Sequence, residues 1–156
     1  ATNLSSCVFA CREVCKHFTK QDSGSVLIIA STATYTLFPG EFAYRCTKTA
    51  LVPYMESLAA EMAPFGVRVN MITPGHFITR MTGGLDSESD LYKKVMDAIP
   101  MHHPGDAYKD IGPQAVVLLS DKLAGYTTAA NVLIDGGIRL RICPWRSDEE
   151  TRQMNL

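Results

Sequence analysis

The first feature of this sequence that could carry out chemistry is a tyrosine and a lysine four residues apart. The segment Tyr44-Arg45-Cys46-Thr47-Lys48 has the pattern Y-x-x-x-K. In a helix, this spacing places the phenol and the ammonium on one face. A free phenol, with a pKa near ~10, is a poor base at neutral pH, but a nearby cation favours its ionised form. The pattern therefore indicates either a tyrosine acid/base activated by a lysine or an amphipathic helix with a surface lysine.

Two further polar residues stand at spacings that fit the same site. Ser31 follows the apolar run 26–30, and Tyr44 comes 13 residues after it. Open α/β sheets bind their ligands at the carboxyl ends of strands, so we expect the Ser31 hydroxyl to hold a substrate oxygen beside the Tyr44 phenol. Asn3 lies 28 residues before Ser31, at the start of a helical pattern.

Clusters of cysteine and histidine offer alternative chemistry. Cys7, Cys11 and Cys15 repeat every four residues, so they rotate by only ~40° per step along one helix face. They indicate packing in the core or between helices, because a metal site on this face lacks a fourth ligand. His102 and His103 are interpreted as lid-hinge residues near the substrate opening, with a metal or proton site as the alternative. No metal is expected.

The composition limits the functional classes. Among 156 residues, 15 Lys and Arg stand against 16 Asp and Glu, which gives a formal net charge of −1. This balance disfavours a nucleic-acid surface. No apolar run approaches the ~18 residues that span a bilayer, and the first residues lack the pattern of a signal peptide. Five cysteines, an odd number, fit a reducing compartment, so a cytoplasmic protein with no membrane partner is expected.

Hydrophobic periodicity predicts helices that alternate with three short strands. The expected strands are residues 25–30, 67–72 and 131–134, and the expected helices are 2–20, 42–62, 87–99 and 112–123. Thr2 or Asn3 is expected to cap the first helix, and Pro53 to bend the second. The continuous apolar run at 25–30 indicates a strand buried on both faces.

The order of these elements, α-β-α-β-α-α-β, indicates an α/β fold. Strands separated by helices form parallel sheets with helices on both faces. We therefore expect part of a doubly wound, Rossmann-like sheet in a domain at 1–140, followed by a charged tail at 141–156.

Together these motifs resemble the short-chain dehydrogenase/reductase family, whose catalytic residues are Asn, Ser, Tyr and Lys in this order. The resemblance covers residues 2–140 and rests on Asn3-Leu4, Ile28-Ile29-Ala30-Ser31, Tyr44-x-x-x-Lys48, Val67-Arg68-Val69-Asn70, Pro74-Gly75, Thr79 and Asp135-Gly136-Gly137. Within the family, segments 126–128 and 133–137 look most like fungal polyol and ketose reductases.

The resemblance implies a role for each matching residue. It makes Tyr44 the general acid/base, Lys48 the residue that holds the nicotinamide ribose and favours ionised Tyr44, and Ser31 the residue that orients the substrate carbonyl. Asn3 would hold a water in a proton relay to Lys48. The nicotinamide pocket would be shaped by Tyr44, Lys48, Pro74, Gly75, Phe77 and Thr79. Residues 80–103 would form a mobile substrate lid.

One part of the family pattern is missing. No Gly-rich turn follows a first strand, and such a turn brings backbone amides to the pyrophosphate of a dinucleotide; Gly83-Gly84 does not replace it, because no buried strand precedes it. The sequence thus resembles the catalytic half of the family fold, with the first βαβαβ half absent. The choice between NAD and NADP is not readable.

The expected function is that of an NAD(P)-dependent oxidoreductase interconverting a secondary alcohol and a ketone. The alternative is a truncated, inactive family member that acts as a binding or interaction subunit. The resemblance also implies a homo-oligomer, in which the helices at 3–20 and 43–63 pair with their copies.

Overall fold

Three parallel strands form the sheet of this chain. A computed structural model describes residues 2–37, 40–79 and 89–140. The strands are β1 (Gly24–Ile29), β2 (Val67–Pro74) and β3 (Asn131–Ile134), in the order β1-β2-β3. Both neighbouring pairs are parallel, with Gly24 opposite Val67 and Met71 opposite Asn131. The predicted α/β fold with a parallel sheet is confirmed, whereas the predicted tail at 141–156 and Gly83-Gly84 lie outside the described residues.

Helices connect the strands and flank the sheet. Their bounds are α1 (Ser5–Gln21), α2 (Phe42–Thr49), α3 (Leu51–Met62), α4 (Asp90–Ala98), α5 (Gly112–Leu119) and α6 (Asp121–Ala124), with a π-helical turn at Ala107–Ile111. The first crossover runs through α2 and α3 and the second through α4 to α6. None of the helices in the described ranges is long and apolar enough to cross a membrane.

The central strand β2 is buried on both faces, and its alternate residues face opposite sides of the sheet. Val67, Val69 and Met71 belong to the core between the sheet and helices α1 and α3. On the opposite face, Arg68 donates to the carbonyl of Leu118 at 2.7 Å, and the Asn70 amide donates to the carbonyl of Thr127 at 2.9 Å. Helices therefore cover both faces of the sheet, as the alternation of strands and helices predicted.

The cysteines of α1 pack inside the molecule. Cys11 and Cys15 are 5% and 7% exposed and join the core cluster, with Cys7 packed against it. Their helical spacing thus places a stripe of small apolar side chains against β1 and α3. The predicted packing of this face in the core is therefore confirmed, and it includes contact with helix α3.

The predicted helix at 42–62 is broken into α2 and α3. Proline has no N–H and its ring crowds the carbonyl four residues earlier, which for Pro53 is that of Thr49. Helix α2 ends at Thr49, and Ala50 joins the two helices. The bend predicted from Pro53 is therefore observed as a break just before it.

Two local predictions were wrong. Strand β1 was expected to be buried on both faces, but within it only Ile28 is buried, and Ile29 is 44% exposed. Among the described residues, β1 pairs only with β2, so it is an edge strand. Helix α1 begins at Ser5 after Leu4, and no side chain caps it; neither Thr2 nor Asn3 has the predicted role.

We expect Arg68→Met to destabilise the fold more than removal of its acidic partner. Arg68 is 7% exposed and also pairs with Asp121 at 2.8 Å, whose side chain is 76% exposed. Loss of the guanidinium leaves the buried carbonyl of Leu118 without this donor, at a cost of about 1–3 kcal/mol. Asp121→Asn removes only an exposed charge and should cost less than about 1 kcal/mol. Urea unfolding of both variants measures the difference, and equal losses would contradict it.

Candidate active site

Ser31 and Tyr44 line one cleft at the carboxyl end of β1. Its volume is about 480 Å³. The cleft is lined by Ser31, Thr32, Ala33, Glu41, Tyr44, Gly75, His76, Lys94, Val95, Ala98 and Ile138. These residues come from the loop after β1, helix α2, the loop after β2, helix α4 and the turn after β3. The predicted pairing of the serine hydroxyl and the tyrosine phenol across one cleft is therefore consistent with their positions.

Lys48 is anchored to the sheet one turn beyond Tyr44. Its Nζ donates to the carbonyl oxygen of Ile29 at 2.9 Å and lies 5.9 Å from the centre of the Tyr44 ring. The pKa of Lys48 is lowered, because burial disfavours the ammonium. Negative charge on an ionised Cys7 would act in the opposite direction. The ammonium is thus held near the phenol and keeps further N–H groups for a ligand.

The hydroxyl of Ser31 is oriented by the turn that follows it. Ser31 has extended backbone angles, and its Oγ accepts a hydrogen bond from the backbone N–H of Ala33 at 3.2 Å. It thereby caps the short 3₁₀ helix Thr32–Thr34. Because this bond uses Oγ as an acceptor, the hydroxyl hydrogen is left to donate into the cleft.

Asn3, the predicted fourth catalytic residue, lies apart from the cleft. It is half-buried in the turn before α1 and lines a separate cavity of about 360 Å³ between α1 and β1. Ile29, whose carbonyl binds Lys48, lines the same cavity. The structure thus places Ser31 and Tyr44 in one cleft, with Lys48 beside the Tyr44 ring. Asn3 lines a different cavity, so its relay role stays a prediction.

The residues predicted to shape the nicotinamide pocket divide between two clefts. Gly75 follows Pro74 at the end of β2 and lines the cleft of Ser31 and Tyr44. Phe77 is buried and lines a second cleft of about 380 Å³ beside Asp135. Thr79 is exposed and is the last described residue before 89. Gly75 therefore lies in the same cleft as Ser31 and Tyr44, whereas Phe77 lies in the second cleft.

Gly75 is required by the close approach of β2 and β3. Its N–H donates to the carbonyl of Ile134 at 2.8 Å. A Cβ at this position would lie 2.6 Å from the Cα of Asp135, a distance that backbone atoms cannot accommodate without moving. The glycine therefore sets where the chain leaves the sheet and where the next side chain, His76, is placed.

His76 was missed by the sequence reasoning. It lines both clefts, and its Nε2 is buried without a hydrogen-bond partner among the described residues. Burial lowers the pKa of His76, which favours the neutral imidazole. The available signal was a polar residue directly after Pro74-Gly75, at the carboxyl end of a buried strand.

Helix α4 forms the wall of the cleft opposite Tyr44. The Ser89 hydroxyl caps it by accepting from the N–H of Tyr92 at 3.1 Å. Met96 is buried against Ile99 and Ile138, while Lys94, Val95 and Ala98 face the cleft. Helix α4 belongs to the predicted lid at 80–103, of which residues 80–88 lie outside the described residues.

The predicted hinge histidines lie after α4. His102 has a left-handed φ of 56°, and His103 lines the second cleft. Within residues 2–37, 40–79 and 89–140, no three His, Cys, Asp or Glu side chains are grouped so that they could hold a metal ion.

Comparison with known proteins gives consistent matches. A family model described as enoyl-(acyl carrier protein) reductase matches residues 1–139. The chain is 33% identical over 138 residues to the 3-oxoacyl-[acyl-carrier-protein] reductase FabG of Chlamydia pneumoniae, covering 88% of this chain and 54% of that protein. The chain therefore spans about half the length of this curated relative.

Solved structures give the same picture. A protein described as a short-chain alcohol dehydrogenase from Sinorhizobium meliloti 1021 matches with a TM-score of 0.82 and 32% identity, covering 90% of this chain and 55% of that one. A protein described as an NAD(P)-dependent gluconate 5-dehydrogenase from Beutenbergia cavernae, with bound NADP, matches with a TM-score of 0.81 and 29% identity, covering 87% and 54%. The site geometry thus lies in a chain whose fold and sequence match nicotinamide-dependent oxidoreductases.

We expect the fold to lose stability as the pH falls, and we expect part of this loss to depend on His76. Its pKa is lowered in the folded protein, so the unfolded chain binds the proton more readily. The contribution is fully present above the ordinary value of 6.5 and is lost as the pH falls through the lower folded value. Urea unfolding of His76→Phe between pH 7.5 and pH 5 should lack this loss.

The exposed residue His17 provides the matched control, since His17→Gln should retain the pH dependence of the unmodified chain. Parallel pH dependences for the unmodified chain and His76→Phe would contradict a buried neutral imidazole at this position.

Proposed function

Because this chain belongs to the short-chain dehydrogenase/reductase family, we propose that Ser31, Tyr44 and Lys48 interconvert a secondary alcohol and a ketone. The observation that carries the proposal is the shared cleft of Ser31 and Tyr44, with Lys48 Nζ anchored at 2.9 Å on Ile29 and 5.9 Å from the Tyr44 ring. Two hydroxyl groups that face one cleft can both bind a single carbonyl oxygen. This is the arrangement needed to move a proton to or from that oxygen.

Each of the three side chains has a distinct task in this proposal. The Tyr44 hydroxyl gives its proton to the ketone oxygen in the reduction and takes it back in the oxidation. Ser31, oriented by Ala33, donates to the same oxygen and fixes its position. Lys48 stabilises the negative charge that develops on the Tyr44 oxygen when the proton leaves.

The described residues fit the nicotinamide side of a dinucleotide. Lys48 keeps N–H groups beyond the one that binds Ile29, so it can hold ribose hydroxyls, while the backbone at Gly75 lines the neighbouring cleft of Ser31 and Tyr44. A bound nicotinamide would supply or accept the hydride. NAD and NADP are both candidates, because the related gluconate 5-dehydrogenase is described as NAD(P)-dependent and its structure contains NADP.

The cleft favours a small substrate with a second polar group. Its wall is apolar at Val95, Ala98 and Ile138. The charged residues Glu41 and Lys94 also line it, and the Nε2 of His76 is buried there. The names of the relatives, a 3-oxoacyl reductase and a gluconate 5-dehydrogenase, both refer to carbon atoms that carry a ketone or a secondary hydroxyl. The match to fungal polyol reductases stays a prediction.

Two further properties are proposed for the whole protein. The outward side of α1, which includes Phe9 at 62% exposure, and α2 with α3 are available for pairing with a second copy, so we propose a homo-oligomer. On α3, the exposed Ala60 can take part in such pairing, whereas Ala59 is buried in the core and cannot. The free thiols of Cys7, Cys11, Cys15 and Cys46 support a cytoplasmic location.

A second candidate function is a binding subunit without catalysis. It is favoured by one observation: no Gly-rich turn between a strand and a helix N-terminus occurs in the part of the chain that the structure describes. Backbone amides at such a turn carry much of the binding of a pyrophosphate. The two functions differ in whether a nicotinamide dinucleotide binds.

We expect Tyr44→Phe to lower turnover at least ~10²-fold in an active preparation that contains this chain. The substitution removes one hydroxyl and keeps the ring, so the fold should be unchanged. Lys48→Met should reduce both turnover and affinity for the dinucleotide, because Lys48 serves both. Tyr126→Phe, which removes the hydroxyl of a fully exposed tyrosine, is the matched control. Steady-state kinetics with NADPH or NADH decide; near-normal turnover of Tyr44→Phe would refute the assignment.

For the 156-residue chain by itself, we expect no detectable binding of NADPH or NADH at millimolar concentration. The described residues offer the nicotinamide side of the site but no helix N-terminus preceded by a Gly-rich turn for the pyrophosphate. Titration followed by nicotinamide fluorescence measures this. A saturable increase in fluorescence would remove the binding-subunit alternative and would show that this chain holds the dinucleotide by other contacts.

A further inference from the structure

Two cysteines of α1 face the same cavity. Cys7 and Cys11 are four residues apart, which places both side chains on one side of the helix. Both line the cavity of about 360 Å³ between α1 and β1. Cys7 is half-buried and Cys11 is 5% exposed. The cavity is thus bordered by a pair of neighbouring sulfur atoms.

The pair is electrostatically prepared for reaction with an electrophile. The neighbouring thiol of Cys7 lowers the pKa of Cys11 to about 7. The neighbouring Cys11, together with burial, raises the pKa of Cys7. One thiolate is therefore present near neutral pH, next to a thiol that retains its proton, and the thiolate is the reactive form of cysteine.

The number of donors and the cavity wall select the kind of ligand. The described residues provide no third cysteine, histidine or carboxylate that would complete a metal site here. Two thiols can both bind one trivalent atom that forms two bonds to sulfur and carries one organic substituent. The remaining wall is mostly aliphatic, with Val14, Val26, Leu27, Ile28 and Leu51, and suits an apolar substituent such as a phenyl ring.

We propose that Cys7 and Cys11 form a dithiol site that captures organic trivalent arsenicals in the cavity between α1 and β1. In this reaction, an arsenical with one As=O group meets both thiols. Two As–S bonds form, while the As=O bond and the two S–H bonds break. The oxygen leaves as water with the two protons, and arsenic stays trivalent, so no oxidant or reductant is needed.

The site borders the residue that anchors Lys48. Asn3 and Ile29 line the same cavity, and the carbonyl of Ile29 holds Lys48. A ligand on the cysteine pair would therefore lie on the far side of the residue that anchors the catalytic lysine. The proposal itself does not depend on the catalytic function.

Phenylarsine oxide is the probe for this site. The reduced full chain, with its fold checked by circular dichroism, is titrated with the probe and followed by mass spectrometry of the intact protein. We expect one phenylarsenic group per chain, stable to a monothiol and removed by a dithiol. Loss of the adduct is expected in Cys7→Ser and in Cys11→Ser, whereas Cys15→Ser and Cys46→Ser should retain it.

Peptide mapping of the unsubstituted chain provides a test that needs no variant. Trypsin cleaves after Arg12, so Cys7 and Cys11 remain in one peptide, 1–12, whereas Cys15 lies in the next. A bridged Cys7–Cys11 adduct is therefore found within a single peptide. Failure to bind the probe, an adduct that a monothiol removes, or an arsenic bridge between two peptides would each overturn the proposal.

The pH dependence of alkylation gives an independent readout. Iodoacetamide should modify Cys11 with a rate that rises around pH 7, well below the range near 8.5 of an ordinary thiol. Pretreatment with phenylarsine oxide should block this reaction while exposed Cys46 still reacts. Continued alkylation of Cys11 after pretreatment would also overturn the proposal.

Discussion

The hydrogen bond from Lys48 to the carbonyl of Ile29 is the constraint on which the arrangement of the site depends. The N–H of Ala30 pairs with Ile72 of β2, so the alternating pattern of a parallel strand directs the Ile29 carbonyl away from β2. Lys48 meets that carbonyl at 2.9 Å and ties α2 to the end of β1. Tyr44, one helical turn earlier, is then held on the same side as Ser31, which follows the strand. One contact between helix and sheet thus fixes the relative positions of three functional groups.

The other side of the cleft depends on how tightly β2 packs against β3. Thr73 is fully buried and donates to Asn131 at 2.6 Å, and Gly75 passes so close to Asp135 that a side chain would collide with it. The end of β2 therefore has little freedom, and His76 is carried into the space between the two clefts. The unpaired imidazole nitrogen is a cost to the fold, since a buried polar atom without a partner lacks the hydrogen bonds that water would give. Such a cost at a cleft is consistent with a nitrogen reserved for a ligand.

The parts of the site that the sequence predicted correctly are those that local spacing determines. A separation of four residues places Tyr44 and Lys48 on one helix face whatever the rest of the chain does, and a short apolar run that ends in Ser31 places the serine beyond a strand. The position of His76 was not predictable in this way, because its burial comes from α4 and β3, which are distant in sequence. The exposure of β1 depends likewise on which strands pair with it, and a run of apolar residues carries no information about that. Asn3 could be placed near a helix start but not in a cavity, because the cavity exists only once α1 packs against β1.

The interaction between Lys48 and Cys7 couples the cleft of Ser31 and Tyr44 to the cavity between α1 and β1. Burial makes the ammonium less favourable and lowers the pKa of Lys48, while negative charge on Cys7 acts in the opposite direction. The interaction is mutual, because Lys48 in turn favours the ionised form of Cys7. Two charges that interact across a partly buried space have coupled protonation, so a change at one must alter the other. The cavity between α1 and β1 is therefore electrically coupled to the cleft: ionisation of Cys7, which its raised pKa opposes near neutral pH, would favour the protonated form of Lys48 beside Tyr44.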